Sequence, residues 1–169
     1  TTALIRALMD DIEYEGTVKW GVTTSRSYLP KDNSRDFAGG ESILDWLRQF
    51  ASKEEDDNTF LRGFLGRMLF SGDEVNKSVN VLSGGEKVRV MLSKLMLLKS
   101  NVLVLDDPTN HLDLESISSL NDGLKNFKES IIFASHDHEF IQTLANHIIV
   151  LSKNGVIDRI DETLSLIHI

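Results

Sequence analysis

The sequence predicts an α/β protein, a parallel sheet core with an inserted helical subdomain, and three observations carry that expectation. From residue 81 onward, helix-type and strand-type segments alternate, as in a sheet built from crossover connections. Two of the strand-type runs, Val102–Leu105 and Ile131–Ala134, are continuously apolar, which suits central strands covered on both faces. Residues 41–80 read as wholly helical and lie between strand-bearing parts.

Taken in order, residues 2–9 have the spacing of a buried helix, and after Gly16 a short β-type run covers Thr17–Trp20. A second short strand near Ser25–Leu29 stops at Pro30, and residues 31–40 are polar and turn-rich. Ile43, Leu44, Trp46, Leu47 and Phe50 recur at helical spacing. The acidic run Glu54–Asp57 breaks that pattern and reads as a solvated loop rather than a cation site. A helix is expected over Thr59–Phe70, another after Gly84, and then strand 101–105, helix 114–126, strand 130–134, helix 138–145 and strand 147–151. No internal repeat is visible.

Composition narrows the function. A chain of 169 residues with 41% hydrophobic and 26% charged residues has enough apolar surface for a folded core, which argues against a disordered tail. A net charge of -8 disfavours broad contact with phosphate backbones, so any nucleic-acid contact must be local or made by other parts of a parent protein. Zero cysteines exclude disulfide frameworks and thiolate metal sites. No apolar run approaches the ~20 residues a membrane helix needs, and the first residues lack the basic-then-apolar order of a signal peptide. Residues 164–169 match the translation of a common transposase sequencing adaptor and are expected to be a non-native tail.

Three segments carry chemistry. Asp106-Asp107-Pro108 ends a strand, where ligands of open α/β sheets bind, and two carboxylates there suit a metal-nucleotide site. Asp106 would hold Mg²⁺ through water and Asp107 would polarise an attacking water, although the same residues also read as an ordinary strand-ending turn. In Leu82-Ser83-Gly84-Gly85-Glu86, Ser83 and Glu86 form a capping box. The helix N-terminus and two glycines would also let the backbone approach a phosphate. His136, after an apolar strand, falls at the same sheet edge and could donate a hydrogen bond to a phosphate oxygen, while His136 with His138 lacks a third metal ligand.

The order LSGGE, apolar-DDPTNHLD, apolar-SHD resembles the nucleotide-binding domain of ATP-binding cassette (ABC) proteins over essentially residues 1–160. The run Asp107–Asp113 with LSGGEKVRV upstream is most similar to the second cassette of ABC-F proteins, soluble tandem ATPases that act on ribosomes. The resemblance implies a P-loop NTPase-type core whose helical subdomain covers about 41–98. It also implies that residues 1–163 are a partial domain, the first strands and the phosphate loop lying upstream. It implies ATP and Mg²⁺ as ligands, with Thr1 and Thr2 as the hydroxyl pair closing the missing loop and Thr1 on the metal. Ser83, Gly84 and Gly85 would grip nucleotide held by a facing cassette in the same parent chain, and Asp113 would lie in the loop linking the two sites. A ribosome contacted through missing regions, no direct membrane insertion and a cytoplasmic location complete that picture.

Two positions depart from the family. Asp107 stands where Glu is usual, withdrawing the carboxylate by about 1.5 Å. Lys31, in Tyr28-Leu29-Pro30-Lys31-Asp32, stands where a metal-ligating Gln is usual, and as a cation it would contact a phosphate oxygen, pair with Asp107, or simply sit in an exposed loop. Three alternatives stay open: an ABC transporter ATPase, a chromosome or repair ATPase, and an inactive fragment that does not bind ATP by itself.

Overall fold

Three short parallel strands form the part of the fold that positions the site. The structure, a computed structural model, describes residues 1–152 and 155–160. Its elements are α1 (Thr2–Leu8), β1 (Arg26–Leu29), α2 (Ile43–Arg48), α3 (Asn58–Arg67), α4 (Gly84–Leu97), β2 (Val102–Asp106), α5 (Leu114–Lys125), β3 (Ser130–Ala134), α6 (His138–Leu144), β4 (His147–Ser152) and β5 (Gly155–Ile160). The sheet order is β1-β2-β3, with Leu29 registered on Leu105 and Asp106 on Ala134. Because all three run the same way, their carboxyl ends meet at one edge. This is the α/β architecture with a parallel sheet that the sequence predicts.

β2 is central because it has no polar residue before Asp106; Leu103, Val104 and Leu105 are each 0% exposed. Fully burying such a side chain contributes about 1.5–3 kcal/mol. On one face Val104 and Ala134 pack with Ile5 of α1, and Trp20 and Tyr28 cover that cluster. On the other, Leu29, Leu103 and Leu105 join one apolar cluster with Leu61 and Leu65 of α3, Leu92 and Leu95 of α4, and Leu120 of α5.

Helices α2 to α6 start where side-chain caps stop the backbone amides from going unpaired. Ser42, Asp57, Ser83, Asp113 and Asp137 accept from the amides of Asp45, Phe60, Glu86, Ser116 and Phe140. Phe37 stacks on Trp46, and Lys94 of α4 lies over the rings of Trp46 and Phe50, which ties α2 to α4.

Several expectations are corrected. Thr17–Trp20 forms no strand; the Trp20 indole donates to the Leu8 carbonyl and Arg26 lies over its ring, so side-chain anchoring replaces ladder pairing. The helix expected to reach Phe70 ends at Arg67, because Leu69 turns left-handed and the Phe70 amide bonds back to Leu65. Residues 41–80 are not wholly helical: the Ser42–Ser78 bridge and 3₁₀ turns at Gly72–Asn76 and Val79–Val81 close that segment. β3, despite its apolar run, is an edge strand among the described residues, with Ile132 exposed. β4 does not join the parallel sheet; it pairs antiparallel with β5, a strand absent from the sequence reading. The tail 164–169 lies outside the described residues.

Candidate functional site

Asp106 closes β2 and is 1% exposed. Its Oδ1 accepts from the Thr2 hydroxyl at 3.2 Å, while its Oδ2 has no hydrogen-bond partner among the described residues. Burial pushes its pKa up, the Thr2 hydrogen bond opposes that, and the neighbouring Asp107 charge adds to it. A buried carboxylate oxygen without a donor is costly. A hydrated cation would relieve that cost, so the residues present fit a Mg²⁺ ion held through water.

Asp107 follows at φ 48, the left-handed region that Asp tolerates better than most residues. Its amide donates to the Ala134 carbonyl at 2.9 Å and its carbonyl accepts from Asn110, so the backbone is fixed on both sides. Lys31 Nζ donates to Asp107 Oδ2 at 2.8 Å. That hydrogen bond, more than simple charge attraction, holds the Lys31 ammonium's pKa above its ordinary value. Of the three readings open for Lys31, the structure makes the pair with Asp107.

At the start of α4 the capping box is reciprocal: Ser83 Oγ accepts from the Glu86 amide, Glu86 Oε2 accepts from the Ser83 amide at 2.8 Å, and Lys77 holds Glu86 Oε1. A Cβ on Gly85 would lie 3.2 Å from the His111 carbonyl oxygen and 3.3 Å from Leu112, so glycine is what lets the His111 loop pack on this helix. Asp113 accepts from the Ser116 amide at 2.8 Å, which makes it the cap of α5, and hydrogen bonding from the Ser116 side chain, then from that amide, lowers its pKa.

A cleft of about 270 Å³ brings Lys31, Asp106, Asp107 and Gly84 together. Lys87 and Asn33 also line it, and neither stood out in the sequence. Asn33 is 7% exposed and its Nδ2 has no hydrogen-bond partner among the described residues. Lys87 lies one residue past the capping Glu86, a local hint, but which way the helix faces depends on packing with the sheet. Other expected residues sit apart from this cleft. Thr1 is the exposed N-cap of α1 and makes no side-chain cap hydrogen bond, so the hydroxyl on Asp106 is that of Thr2. His136 is exposed, beyond β3 at the same sheet edge, but does not line the cleft.

A family model described as "ABC transporter" matches residues 2–110, a span that holds Asp106, Asp107, Lys31 and the Ser83–Gly85 cap. The chain belongs to the ABC transporter ATP-binding family. The cassette is 58% identical over 160 residues to the uncharacterized ABC transporter ATP-binding protein YkpA of Bacillus subtilis, covering 94% of this chain and 29% of that protein. It is 42% identical over 158 residues to the probable ATP-binding protein YbiT of Escherichia coli O157:H7, covering 93% and 30%. It is 40% identical over 98 residues to ABC transporter F family member 2 of Arabidopsis thaliana, covering 58% and 14%. The cassette thus spans 30% or less of the length of these relatives. Among solved structures, "RNase-L Inhibitor" superposes with a TM-score of 0.70 at 23% identity, covering 88% of this chain and 29% of that one. An inward-facing putative metal-chelate type ABC transporter also reaches 0.70, at 17% identity and 95% and 68% coverage. At those identities the likeness establishes the fold of the cassette.

Proposed function

We propose that this cassette hydrolyses ATP as one of two cassettes in a longer ABC-F-type protein that acts on ribosomes in the cytoplasm. Asp106 carries the hydrolytic part of the reading: a carboxylate 1% exposed, at the end of the central strand, with one oxygen on Thr2 and the other unpartnered. Mg²⁺, when bound, would neutralise polyphosphate charge. In this reading Asp106 and Thr1 hold the ion, Thr2 keeps Asp106 in place, and the phosphate-loop lysine comes from residues preceding Thr1.

Asp107 then polarises the attacking water. The water oxygen bonds to the γ-phosphorus as the bond from that phosphorus to the bridging oxygen breaks, and the water proton passes to Asp107 or to the departing phosphate, leaving ADP and inorganic phosphate. His136 supplies a hydrogen bond to a γ-phosphate oxygen once the cassettes close. Ser83 and Gly84 are exposed at a helix N-terminus, and in this reading they and Gly85 contact nucleotide on the facing cassette, with Asp113 in the loop between the two sites. Residues 1–163 are taken as part of one such cassette, with 41–98 as its helical subdomain.

Support for the ABC-F assignment comes from the Asp107–Asp113 run and from the names of two relatives, ABC transporter F family members 2 and 5 of Arabidopsis thaliana, at 40% and 37% identity. The family description "ABC transporter" favours a second reading, an ATPase that drives a membrane partner. No helix among the described residues is long and apolar enough to cross a membrane. Gentle sedimentation of the full-length protein separates the two: the ABC-F reading expects it with ribosomes, and recovery with membranes instead establishes the transporter reading.

A further inference from the structure

Lys31 and Asp107 meet because the sheet register brings them together. Leu29 pairs with Leu105, and two residues beyond each lie Lys31 and Asp107, so the parallel ladder fixes the spacing from which their side chains reach each other at 2.8 Å. The two ends of the pair differ in exposure: the Lys31 side chain is 49% exposed and that of Asp107 14%. The two carboxylate oxygens differ as well. Oδ2 accepts from the ammonium, whereas Oδ1 has no hydrogen-bond partner among the described residues.

Pairs this exposed add little to folding stability, so stability does not account for placing a lysine here. The shortened acid does. An Asp side chain is short, so where its oxygens lie depends on what holds it, and errors of about 1 Å in placing a reacting group can cost on the order of a hundredfold in rate. We infer that Lys31 is a positioning residue for Asp107: by holding Oδ2 it leaves Oδ1 as the oxygen that faces the attacking water, so that the short acid and the lysine work as one unit. This rests on the hydrolytic reading given above. A glutamine at position 31 would present a neutral amide to the carboxylate and hold it less firmly, while an arginine would keep a charged donor.

The test uses the full-length protein with Lys31→Gln, Lys31→Arg and Asp107→Asn, each checked for an unchanged thermal midpoint. Lys31→Gln is expected to lower kcat by about tenfold to a hundredfold while affinity for a non-hydrolysable ATP analogue stays within about twofold, the pattern of an interaction that matters only in the transition state. Lys31→Arg should recover most of the rate. A readout independent of turnover is the side-chain NMR titration of Lys31 in the nucleotide-free protein, whose midpoint should fall when Asp107→Asn removes its hydrogen-bond partner. An unchanged kcat in Lys31→Gln beside a dead Asp107→Asn would overturn the positioning role alone. A loss of analogue affinity as large as the loss of kcat would also overturn it, making Lys31 a phosphate contact. Wild-type turnover by Asp107→Asn would instead sink the hydrolytic reading itself.

Discussion

Asp106→Asn should make the nucleotide-free protein more stable while removing its capacity to hold magnesium. In the wild type a carboxylate 1% exposed keeps one oxygen unpartnered and sits beside the charge of Asp107. An unsatisfied buried polar group costs about 1–3 kcal/mol, and more when it is charged. Asparagine has the same shape and can still accept from the Thr2 hydroxyl. It replaces the charge with an amide whose NH₂ is itself unpartnered, so the net gain should be near the lower end, about 1 kcal/mol. In a domain of this size that is a rise of roughly 2–4 °C in thermal midpoint.

The pH dependence gives a second check. Burial raises the folded-state pKa of Asp106 above the ordinary 3.8, so between those two values the folded protein binds more protons than the unfolded chain. Stability contributed by this group therefore falls as pH rises from 3.8 through the raised folded value, and the full penalty persists above it. The advantage of Asp106→Asn should accordingly be complete at neutral pH and shrink as pH is lowered through that window. Thermal unfolding of both proteins without nucleotide or metal measures it. If Asp106→Asn is destabilised at neutral pH, with a difference that does not change on acidification, the carboxylate is not the strained group described here.

Other consequences are narrower. Thr2→Val removes the hydroxyl that donates to Asp106 and should lower stability by about 1–3 kcal/mol at neutral pH, read in the same melts. Gly85→Ala places a methyl 3.2 Å from the His111 carbonyl oxygen. Strain and gained helix propensity should offset each other to within about 1 kcal/mol, while turnover falls because the His111 loop shifts. The 169-residue chain alone should show no useful affinity for Mg-ATP in calorimetry, since its cleft sets Lys31 and Lys87 against Asp32, Asp106 and Asp107. Tight binding would mean that the residues lining this cleft hold polyphosphate by themselves.

What could be read from the sequence follows the range of the forces involved. The starts of α4, α5 and α6 are legible because Ser83, Asp113 and Asp137 each cap an amide three residues on, an interaction contained in the local sequence. The end of β2 is legible because four apolar residues run into Asp106. Pairing is not local. The apolar run of β3 suits a buried strand equally well, and only the absence of a further neighbour makes Ile132 exposed. β4 has strand composition, but its pairing is antiparallel, with β5, which opens on Gly155 at φ 127. The same limit applies at the site. The motif order alone places Asp106 and Asp107 at one edge, whereas the bond from Thr2 rather than Thr1, the inward facing of Lys87 and the burial of Asn33 depend on how α1 and α4 sit against the sheet.

If Asp107 activates the water that attacks ATP, the full-length protein carrying Asp107→Asn should fail to release phosphate in a single-turnover measurement. The amide cannot take a proton, so ATP should stay bound and unhydrolysed with the cassettes closed on each other. Phosphate release at the wild-type rate would contradict it.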